Sequence, residues 1–224
     1  MNAGLCPEPP DDCQLCPRLV TYRERNRADQ PTWHNAPVQS FGETDGQLAI
    51  IGLAPGLKGA NRTGRPFTGD YAGDLLYSTV SKFGFAAGTY SARPDDGFTL
   101  RNCLVTNAVR CVPPKNKPQT DEATQCRRFL SDRLKTMPNL RAVLALGHIA
   151  HDNVVSCLGY KRSQFKFGHG AKHKMSETLY LFDSYHCSRY NTNTGRLTEE
   201  MFHDVFKAIR VFLGSGFDGI KTGP

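Results

Sequence analysis

The stretch Leu48-Ala49-Ile50-Ile51-Gly52-Leu53 is a short apolar run that ends in the small-residue segment Ala54-Pro55-Gly56. Three later runs share its length, its continuous apolarity and its flanking breakers: residues 103–109 (CLVTNAV), 142–147 (AVLALG) and 179–182 (LYLF). Runs of this kind are typical of strands that are buried on both faces, as in a parallel sheet. The four runs therefore predict four neighbouring strands.

Helical patterns lie between and after these runs. Apolar residues recur at helical spacing over residues 70–83, over 121–137 after the candidate N-cap Thr120, and over 199–213 after the candidate N-cap Thr198. Alternation of strands and helices predicts an α/β fold. We expect a three-layer sandwich in which a mostly parallel four-stranded sheet is flanked by helices.

The pattern divides the chain into one domain with two appendages. Residues 1–46 are rich in Pro, Asp, Arg and Gln and lack a strong apolar period, so they are expected to form an N-terminal arm or loop rather than a core element. Residues 47–214 carry the α/β pattern, and the Gly-rich residues 215–224 are expected to form a flexible tail.

Composition favours a partner with negative charge. The 224 residues carry a formal net charge of +7, which suits nucleic acid because Lys and Arg displace counterions from phosphates, although simple solubility would also explain it. No apolar run approaches about 20 residues, so no membrane span is expected. The N-terminus has no secretory pattern, so we expect a cytoplasmic protein whose eight cysteines are not disulfides.

Four of the cysteines have the pattern of a tetrathiolate site. Cys13 and Cys16 form a C-x2-C pair in the arm, Cys111 follows the second apolar run, and Cys126 lies in a predicted helix. Four thiolates suit zinc or an iron–sulfur cluster, and the irregular spacing of the second pair favours a 4Fe-4S cluster. Cys6 is an alternative to Cys13, and plain buried thiols are an alternative for the second pair.

Polar residues follow the predicted strands where a ligand is expected to bind. In open parallel sheets, ligands bind beyond the carboxyl ends of the strands. Asn107 lies near the end of the second run and His186 shortly after the fourth. The segments that follow the four strands are residues 54–56, 110–114, 147–148 and 184–189.

Three ordered segments resemble one known family. The run from Gly52 to Asp74 (GLAPGLKGANRTGRPFTGDYAGD) is similar to the first active-site motif and adjoining loop of family 5 uracil-DNA glycosylases, the iron–sulfur-containing branch of the uracil-DNA glycosylase superfamily. Residues 106–114 (TNAVRCVPP) resemble their second-strand motif, and residues 184–191 (SYHCSRYN) resemble their late histidine motif. The arm's C-x2-C pair, followed by PRL, resembles the family as well.

The resemblance implies an enzyme of DNA repair. It implies hydrolysis of the N-glycosidic bond of uracil in DNA, and often of other deaminated bases such as hypoxanthine. It also implies a 4Fe-4S cluster on Cys13, Cys16, Cys111 and Cys126 and no other cofactor. The expected partner is DNA that contains deaminated bases, and a monomer suffices for the task.

The chemistry assigns roles to the polar residues. Asp70 resembles the family's carboxylate that orients the water and stabilises the oxocarbenium ion, although it is also a candidate helix cap and Asp74 is an alternative. His186 is expected to stabilise the departing base, Phe67 to stack on it and Asn107 to read its edge. Backbone groups of the first motif complete the expected base site: Gly52, Ala54, Pro55 and Gly56.

Two surfaces are expected to contact DNA. A duplex hides its bases, so the target nucleotide must flip into a pocket while the protein holds the strand. Ser188, Arg189 and Tyr190 follow the late histidine and are expected near the flipped nucleotide. A loop with basic and aromatic residues interleaved suits phosphate tracking, although it suits a solvated loop as well. Its basic candidates are Lys161, Arg162 and Lys166.

Two positions depart from the family pattern, and two other functions compete with the glycosylase. Leu53 stands where many relatives have an acidic or polar residue, and Cys187 stands where the family commonly has Pro; both bear on substrate range. A nucleoside or base hydrolase would need similar residues, and a non-catalytic iron–sulfur DNA-binding protein would need the cysteines alone. Strand-end polar residues and the basic loop favour a glycosylase acting on a polymer.

Overall fold

A six-stranded sheet forms the centre of the protein. The computed structural model describes residues 5–214. The sheet order is β1-β5-β2-β6-β8-β7; the four inner strands are parallel and the two outer ones antiparallel to them. A separate hairpin consists of β3 and β4. The strands are β1 (Phe41–Gly42), β2 (Leu48–Gly52), β3 (Ala86–Ala87), β4 (Thr99–Leu100), β5 (Cys103–Asn107), β6 (Ala142–Leu146), β7 (Lys172–Lys174) and β8 (Tyr180–Ser184).

The mostly parallel sheet predicted from the four apolar runs is confirmed, and it is two strands wider than expected. β2, β5 and β6 are buried along their whole length, and β8 is buried except at its first residue. The additional edge strands β1 and β7 have two and three residues, too few to form an apolar run. β7 carries two exposed lysines, which is a common way to protect a sheet edge.

Seven helices surround the sheet within the described part of the chain. Two short 3₁₀ turns, Pro114–Asn116 and Arg162–Gln164, lie in the connecting loops. The helices are α1 (Pro17–Asp29), α2 (Ala60–Thr63), α3 (Tyr71–Lys82), α4 (Thr120–Lys135), α5 (His148–Cys157), α6 (Arg189–Asn193) and α7 (Glu199–Leu213).

Helix α1 is a regular element within the expected N-terminal arm. Its buried face combines Leu19 and Val20 with the polar residues Arg23 and Asn26. This face therefore has no apolar period that the sequence could reveal. The expected tail, residues 215–224, lies outside the described residues.

Helix starts agree with the predicted caps in one case and differ in another. The Thr198 hydroxyl accepts a hydrogen bond from the Met201 amide at 3.1 Å and begins α7 as expected. Thr120 is not a cap, because α4 begins at this residue and Gln119 is its N-cap. The Glu122 carboxylate accepts the Gln119 amide proton at 2.7 Å, so the cap depends on a side chain one turn into the helix.

Apolar residues of the strands alternate between two cores. Leu48 and Ile50 of β2 face the side covered by α3 and α7, whereas Ala49 and Ile51 face the side covered by α4 and α5. Two helical layers thus enclose the sheet, which confirms the predicted three-layer architecture. No helix within residues 5–214 has the length and apolarity needed to cross a membrane.

A half-buried carboxylate fastens the arm to the domain. Glu8 accepts hydrogen bonds from Arg110, just after β5, and from Arg133 of α4, each at 2.7 Å. Burial works to raise the pKa of Glu8, but Arg110 and the hydrogen bonds from Ser40 and Arg133 lower it below its usual value. The ionised carboxylate therefore joins the arm to both segments that carry the later cysteines.

Candidate active site

The register of the parallel strands brings their carboxyl ends to one edge of the sheet. Gly52 of β2 lies beside Asn107 of β5, and Leu146 of β6 lies beside Ser184 of β8. The segments that follow these ends enclose a cavity of about 500 Å³, here called the strand-end cavity. Its lining residues are Leu53, Ala54, Pro55, Gly56, Ala60, Phe67, Asp70, Tyr71, Ala72, Asn107, Asn116, His186, Ser188 and Arg189.

Asn107 offers an unpaired acceptor at this cavity. Only 3% of the residue is exposed, and its buried Oδ1 has no hydrogen-bond partner within the described residues. A buried polar atom without a partner is costly, so this atom is suited to a ligand's donor. Gly52 makes the placement possible: a Cβ there would lie 2.4 Å from Asn107 Oδ1 and 2.5 Å from Phe67 Cζ. Gly52 thus supports the site from behind and does not line it.

Phe67 supplies an aromatic wall. The residue is 7% exposed, and its ring centroid lies 6.0 Å from that of His186 with an angle of 27° between the planes. The two rings come from distant segments, the loop before α3 and the segment after β8. A planar ligand that enters the cavity therefore meets a ring face from Phe67 and the imidazole ring of His186.

His186 is a neutral imidazole in this environment. Burial lowers its pKa to about 4, although the residue stays partly accessible through the cavity. No group in the described chain pairs with its ring nitrogens, while the Asn191 side chain donates to its backbone oxygen at 2.8 Å. The sequence left the charge of His186 open; the lowered pKa assigns one N–H donor and one acceptor to the ring at neutral pH.

Asp70 caps a helix and also lines the strand-end cavity. Its Oδ1 accepts the Gly73 amide proton at 3.1 Å and caps α3. Its Oδ2 lies against the backbone at Gly56 and Gly59, and the residue lines the cavity. Burial raises the pKa of Asp70, and so does the charge of Asp74, while the backbone hydrogen bond from Gly73 lowers it. Asp74 itself is exposed and does not line the cavity.

The two positions that depart from the family pattern have different environments. Leu53 lines the cavity and brings no charge to it. Cys187 is fully buried, and its thiol donates to the backbone oxygen of Ala72 at 3.4 Å. Burial raises the pKa of Cys187 to about 12, so the group is a thiol at neutral pH and is not a nucleophile.

The segment after His186 forms part of the cavity mouth. Ser188 caps α6, and the Arg189 guanidinium lies 5.4 Å from the ring centre of Tyr71, across the mouth. Tyr190 is 73% exposed. The sequence prediction missed Tyr71 and Asn116 as lining residues. Tyr71 was hidden in a predicted helix, whereas Asn116 lies just beyond a strand-end segment and could have been found there.

The basic loop is separate from the strand-end cavity. Lys161, Arg162 and Lys166 are exposed between α5 and β7, and none of them lines the cavity. Arg162 lies 3.5 Å from the carboxylate of Asp152. Phe167 of the same loop borders a neighbouring cavity of about 300 Å³ that shares Leu53 and His186 with the first. DNA contact by the three basic residues stays a prediction.

Four of the cysteines converge on one enclosed void, here called the cysteine site. Apolar residues such as Leu19 and Phe129 surround it. The sulfur atoms of two members accept N–H groups, from the Arg23 side chain at 3.9 Å and from the Arg110 backbone at 3.3 Å. Cys6, the alternative ligand, is exposed and does not line the void. The converging residues are Cys13, Cys16, Cys111 and Cys126.

The sulfur atoms of these thiols can be compared with the geometry of a zinc site. Tetrahedral zinc with Zn–S bonds of about 2.3 Å holds its sulfur atoms about 3.8 Å apart. In the described chain, the only group of three or more potential ligands whose atoms all lie within 4.8 Å contains no cysteine. The four thiols therefore do not form a group as compact as a single zinc ion requires.

Comparisons with known proteins agree with this geometry. The family model of the uracil DNA glycosylase superfamily matches residues 39–210. The chain is 42% identical to a type-5 uracil-DNA glycosylase of Thermus thermophilus over 90% of this chain and 94% of the relative. It is 36% identical to a type-5 uracil-DNA glycosylase of Pyrobaculum aerophilum over 88% of this chain and 87% of the relative. The chain therefore belongs to the type-5 uracil-DNA glycosylases of this superfamily.

Proposed function

We propose that the protein is a monofunctional DNA repair glycosylase that hydrolyses the N-glycosidic bond of uracil in DNA and leaves an abasic site. The observation that carries this proposal is the unpaired, buried Asn107 Oδ1 in a cavity that also holds Asp70 and His186. Relatives that align over most of the chain are named for the same activity. One chain supplies every residue of the site, so a monomer suffices.

Recognition of the base follows from the cavity walls. A cavity of about 500 Å³ has the size of a typical small-ligand site and admits one flipped nucleotide. The face of Phe67 stacks on the base. The Asn107 amide pairs with the polar edge of uracil, its Oδ1 accepting the ring N–H and its NH₂ donating to a carbonyl oxygen. Cytosine has no N–H at that ring position, so it leaves Oδ1 unpaired.

His186 stabilises the departing base. When the glycosidic bond breaks, its electron pair moves onto the base and negative charge develops on a carbonyl oxygen. A neutral imidazole donates one hydrogen bond to that oxygen without a prior change in its own charge. Donors that are already in position act strongly in an enclosed site, because little water competes with them.

Asp70 acts at the sugar. The bond between C1′ and the base breaks, leaving an oxocarbenium ion that the ionised carboxylate stabilises. A water oxygen then bonds to C1′ while Asp70 accepts the water's proton. The base leaves as an anion that takes a proton from solvent, and Asp70 returns its proton to solvent. The products are the neutral base and an abasic site, and no covalent enzyme intermediate is needed. Burial of the carboxylate raises its pKa and makes it a stronger base than an exposed aspartate.

The substrate range extends to deaminated purines. The cavity volume leaves room for a purine as well as a pyrimidine. Hypoxanthine presents a ring N–H beside a carbonyl oxygen, as uracil does, so Asn107 pairs with both in the same way.

The cysteine site is proposed to hold a 4Fe-4S cluster. The ligands are Cys13, Cys16, Cys111 and Cys126, whose sulfur spacing supports a cluster rather than zinc. Arg23 and Arg110 lie beside the sulfurs, and the Nε atom of each is buried without a partner in the described chain. These cations fit the negative charge that four thiolates bring. When bound, the cluster would link the arm, the β5 loop and α4; it takes no part in the hydrolysis.

Excision from an end-labelled oligonucleotide tests the proposal. With one uracil in the strand, we expect cleavage after alkali and none before it. Undamaged duplex should compete, whereas deoxyuridine should not be hydrolysed. Hydrolysis of the free nucleoside without competition by DNA would support a nucleoside hydrolase. If the protein binds DNA and carries iron but leaves both the uracil strand and the hypoxanthine strand intact, the result would support a non-catalytic binding protein instead.

A further inference from the structure

The backbone of Phe67 adopts a conformation that a phenylalanine rarely takes. Its φ is +51°, in the left-handed region that bulky side chains disfavour. Such conformations persist only where the surrounding structure enforces them, and they are frequent at ligand sites. The residue that stacks on the base is therefore held in place by other groups.

Arg65 is the centre of the groups that enforce this conformation. Its guanidinium donates to both carboxylate oxygens of Asp96 at 2.8 Å, and its Nε donates to the Thr68 hydroxyl at 2.8 Å. The Arg65 and Asp96 side chains are 6% and 1% exposed. Arg65 thus fixes the positions immediately before and after the Pro66–Phe67 pair.

Four aromatic rings enclose the same guanidinium. Two of them bond to the strained segment: the Tyr77 hydroxyl donates to the Pro66 oxygen, and the Tyr90 hydroxyl donates to the Phe67 oxygen at 3.3 Å. Arg65 therefore organises the rings that hold the backbone of Phe67. The rings and their centroid distances from the guanidinium are Phe41 (5.0 Å), Tyr90 (5.5 Å), Tyr77 (5.7 Å) and Phe98 (6.0 Å).

The opposite side of the loop leaves no room for relaxation. Gly73, in the first turn of α3, packs so closely that a Cβ there would lie 1.7 Å from the Phe67 oxygen. The Gly73 amide also donates to Asp70. A displaced Phe67 backbone would therefore press on the turn that carries the carboxylate.

We propose that Arg65 is a positioning residue for base recognition, which acts with Asp96 by holding the Phe67 ring against the flipped base. Arg65 does not line the strand-end cavity and contacts no substrate. A buried ion pair contributes little net stability, because desolvation offsets its attraction. Lysine cannot reproduce the planar fork that binds Asp96 and Thr68 together, so the geometry depends on arginine. This inference rests on the proposed function.

A double-mutant cycle tests whether Arg65 acts through Phe67. We expect Arg65→Lys to lower kcat/KM on uracil-containing duplex by about 10- to 100-fold, since a small displacement of a positioning contact has effects of this size. Phe67→Leu should cause a similar loss. The double variant should then be no more than about twofold worse than Phe67→Leu alone, because the two changes remove one interaction. Losses that multiply would overturn the proposal.

A core variant provides the matched control for simple destabilisation. Leu130→Ala removes a fully buried side chain on the opposite face of the sheet from Phe67. It should lower the melting temperature but leave kcat/KM unchanged below the transition. If Leu130→Ala lowers kcat/KM as much as Arg65→Lys does, Arg65 has only a structural role. If Arg65→Lys does not fold, Asp96→Asn takes its place in the cycle with the same expected coupling.

A crystal structure of the Arg65→Lys variant separates this inference from the proposed function. We expect the φ of Phe67 or its ring position to change relative to the wild-type protein. An unmoved Phe67 would overturn the positioning role whatever the enzyme excises. Failure of the wild-type protein to release any base would instead overturn the proposed function, and the crystallographic result would still report on Arg65.

Discussion

The strand-end cavity and the cysteine site differ in whether their ligand-facing atoms already have hydrogen-bond partners. In the cavity, Asn107 Oδ1 and the His186 ring have no partner in the described chain, although pairing them would stabilise the fold. At the cysteine site, sulfur atoms accept N–H groups from Arg23 and from the Arg110 backbone. The unpaired acceptor and ring of the cavity suit a ligand that binds and is released, whereas sulfur atoms flanked by N–H groups suit a group that stays bound.

The two regions also differ in their origin along the chain. The cavity is built mainly from segments that follow strands, which the parallel topology places side by side. The cysteine site joins the arm, the loop after β5 and α4, which no sheet register brings together. We therefore expect changes in the cavity to affect rate more than stability, and changes at the cysteine site to affect stability more than rate.

The largest expected effect on rate comes from Asp70→Asn. Loss of the carboxylate should lower the single-turnover rate by about 10²- to 10⁴-fold, the usual range for a general base. Asparagine still caps α3, so the helix start is preserved. Because burial raises the folded-state pKa of Asp70, its ionised form opposes folding at neutral pH. The variant should therefore melt at or above the wild-type temperature; near-normal turnover would remove Asp70 from the mechanism.

The largest expected effect on stability comes from Cys126→Ser. We expect this variant to lose its iron and to melt about 10 °C lower or more, since each kcal/mol shifts the melting temperature of a chain of this size by about 2–4 °C. The exposed Cys6 provides a matched control, and Cys6→Ser should keep both iron and melting temperature. Iron that persists in Cys126→Ser, or that is lost in Cys6→Ser, would contradict the ligand assignment.

The pH dependence should have opposite signs for rate and stability. The pKa of Asp70 is raised above its usual 3.8, and the base must be ionised, so kcat/KM should fall about tenfold per pH unit below the raised pKa. The stability that protonated Asp70 provides is present in full below the unfolded-state pKa and is lost as the pH rises through the folded-state pKa. Asp70→Asn should remove this stability change with pH in thermal melts across the acidic range.

His186 also affects how kcat/KM and stability depend on pH. Burial lowers its pKa to about 4, so the neutral ring is present throughout the neutral range. The stability that the neutral ring contributes is present above the unfolded-state pKa and is lost as the pH falls through about 4. We expect no titration step in kcat/KM near pH 6.5, the usual pKa of histidine. A step there would mean that the imidazole carries a charge during catalysis.

The smallest expected effects concern the two proposed DNA surfaces. Arg189→Ala, at the cavity mouth, should raise KM about tenfold, as expected for the loss of one charged hydrogen bond. Lys166→Ala should weaken DNA binding only slightly and reduce the slope of log affinity against log salt by about 1. Steady-state excision kinetics measures the first effect, and fluorescence anisotropy over a salt series measures the second. If the salt slope is unchanged in Lys166→Ala, the basic loop is a solvated loop that does not contact DNA phosphates.

The sequence revealed the inner sheet because strands buried on both faces leave continuous apolar runs. β1 and β7 have only two and three residues and leave no such signal. Helix α1 escaped prediction because Arg23 and Asn26 belong to its buried face. Arg23 is buried because its guanidinium has hydrogen-bond partners from elsewhere in the chain. It donates to the Cys13 backbone and to the Cys111 sulfur.

The site could be predicted where topology alone brings residues together. Asn107 and His186 lie at or just beyond strand ends, so a parallel sheet requires them to meet. Tyr71 lines the cavity from the first turn of α3. Helical periodicity explains a residue at this position as part of the fold, so the pattern does not mark it as a site residue. Arg65 and Asp96 are 31 positions apart with α3 and β3 between them, and no local pattern indicates that they pair.

A single-turnover assay on end-labelled duplex with one uracil tests the central claim most directly when wild-type protein and Asp70→Asn are compared side by side. The account predicts strand cleavage after alkali with the wild-type protein, and undiminished DNA binding with a rate about 10²- to 10⁴-fold lower for the variant. Equal rates for the two proteins, or an intact strand with the wild-type protein, would contradict the assignment of the chemistry to the strand-end cavity.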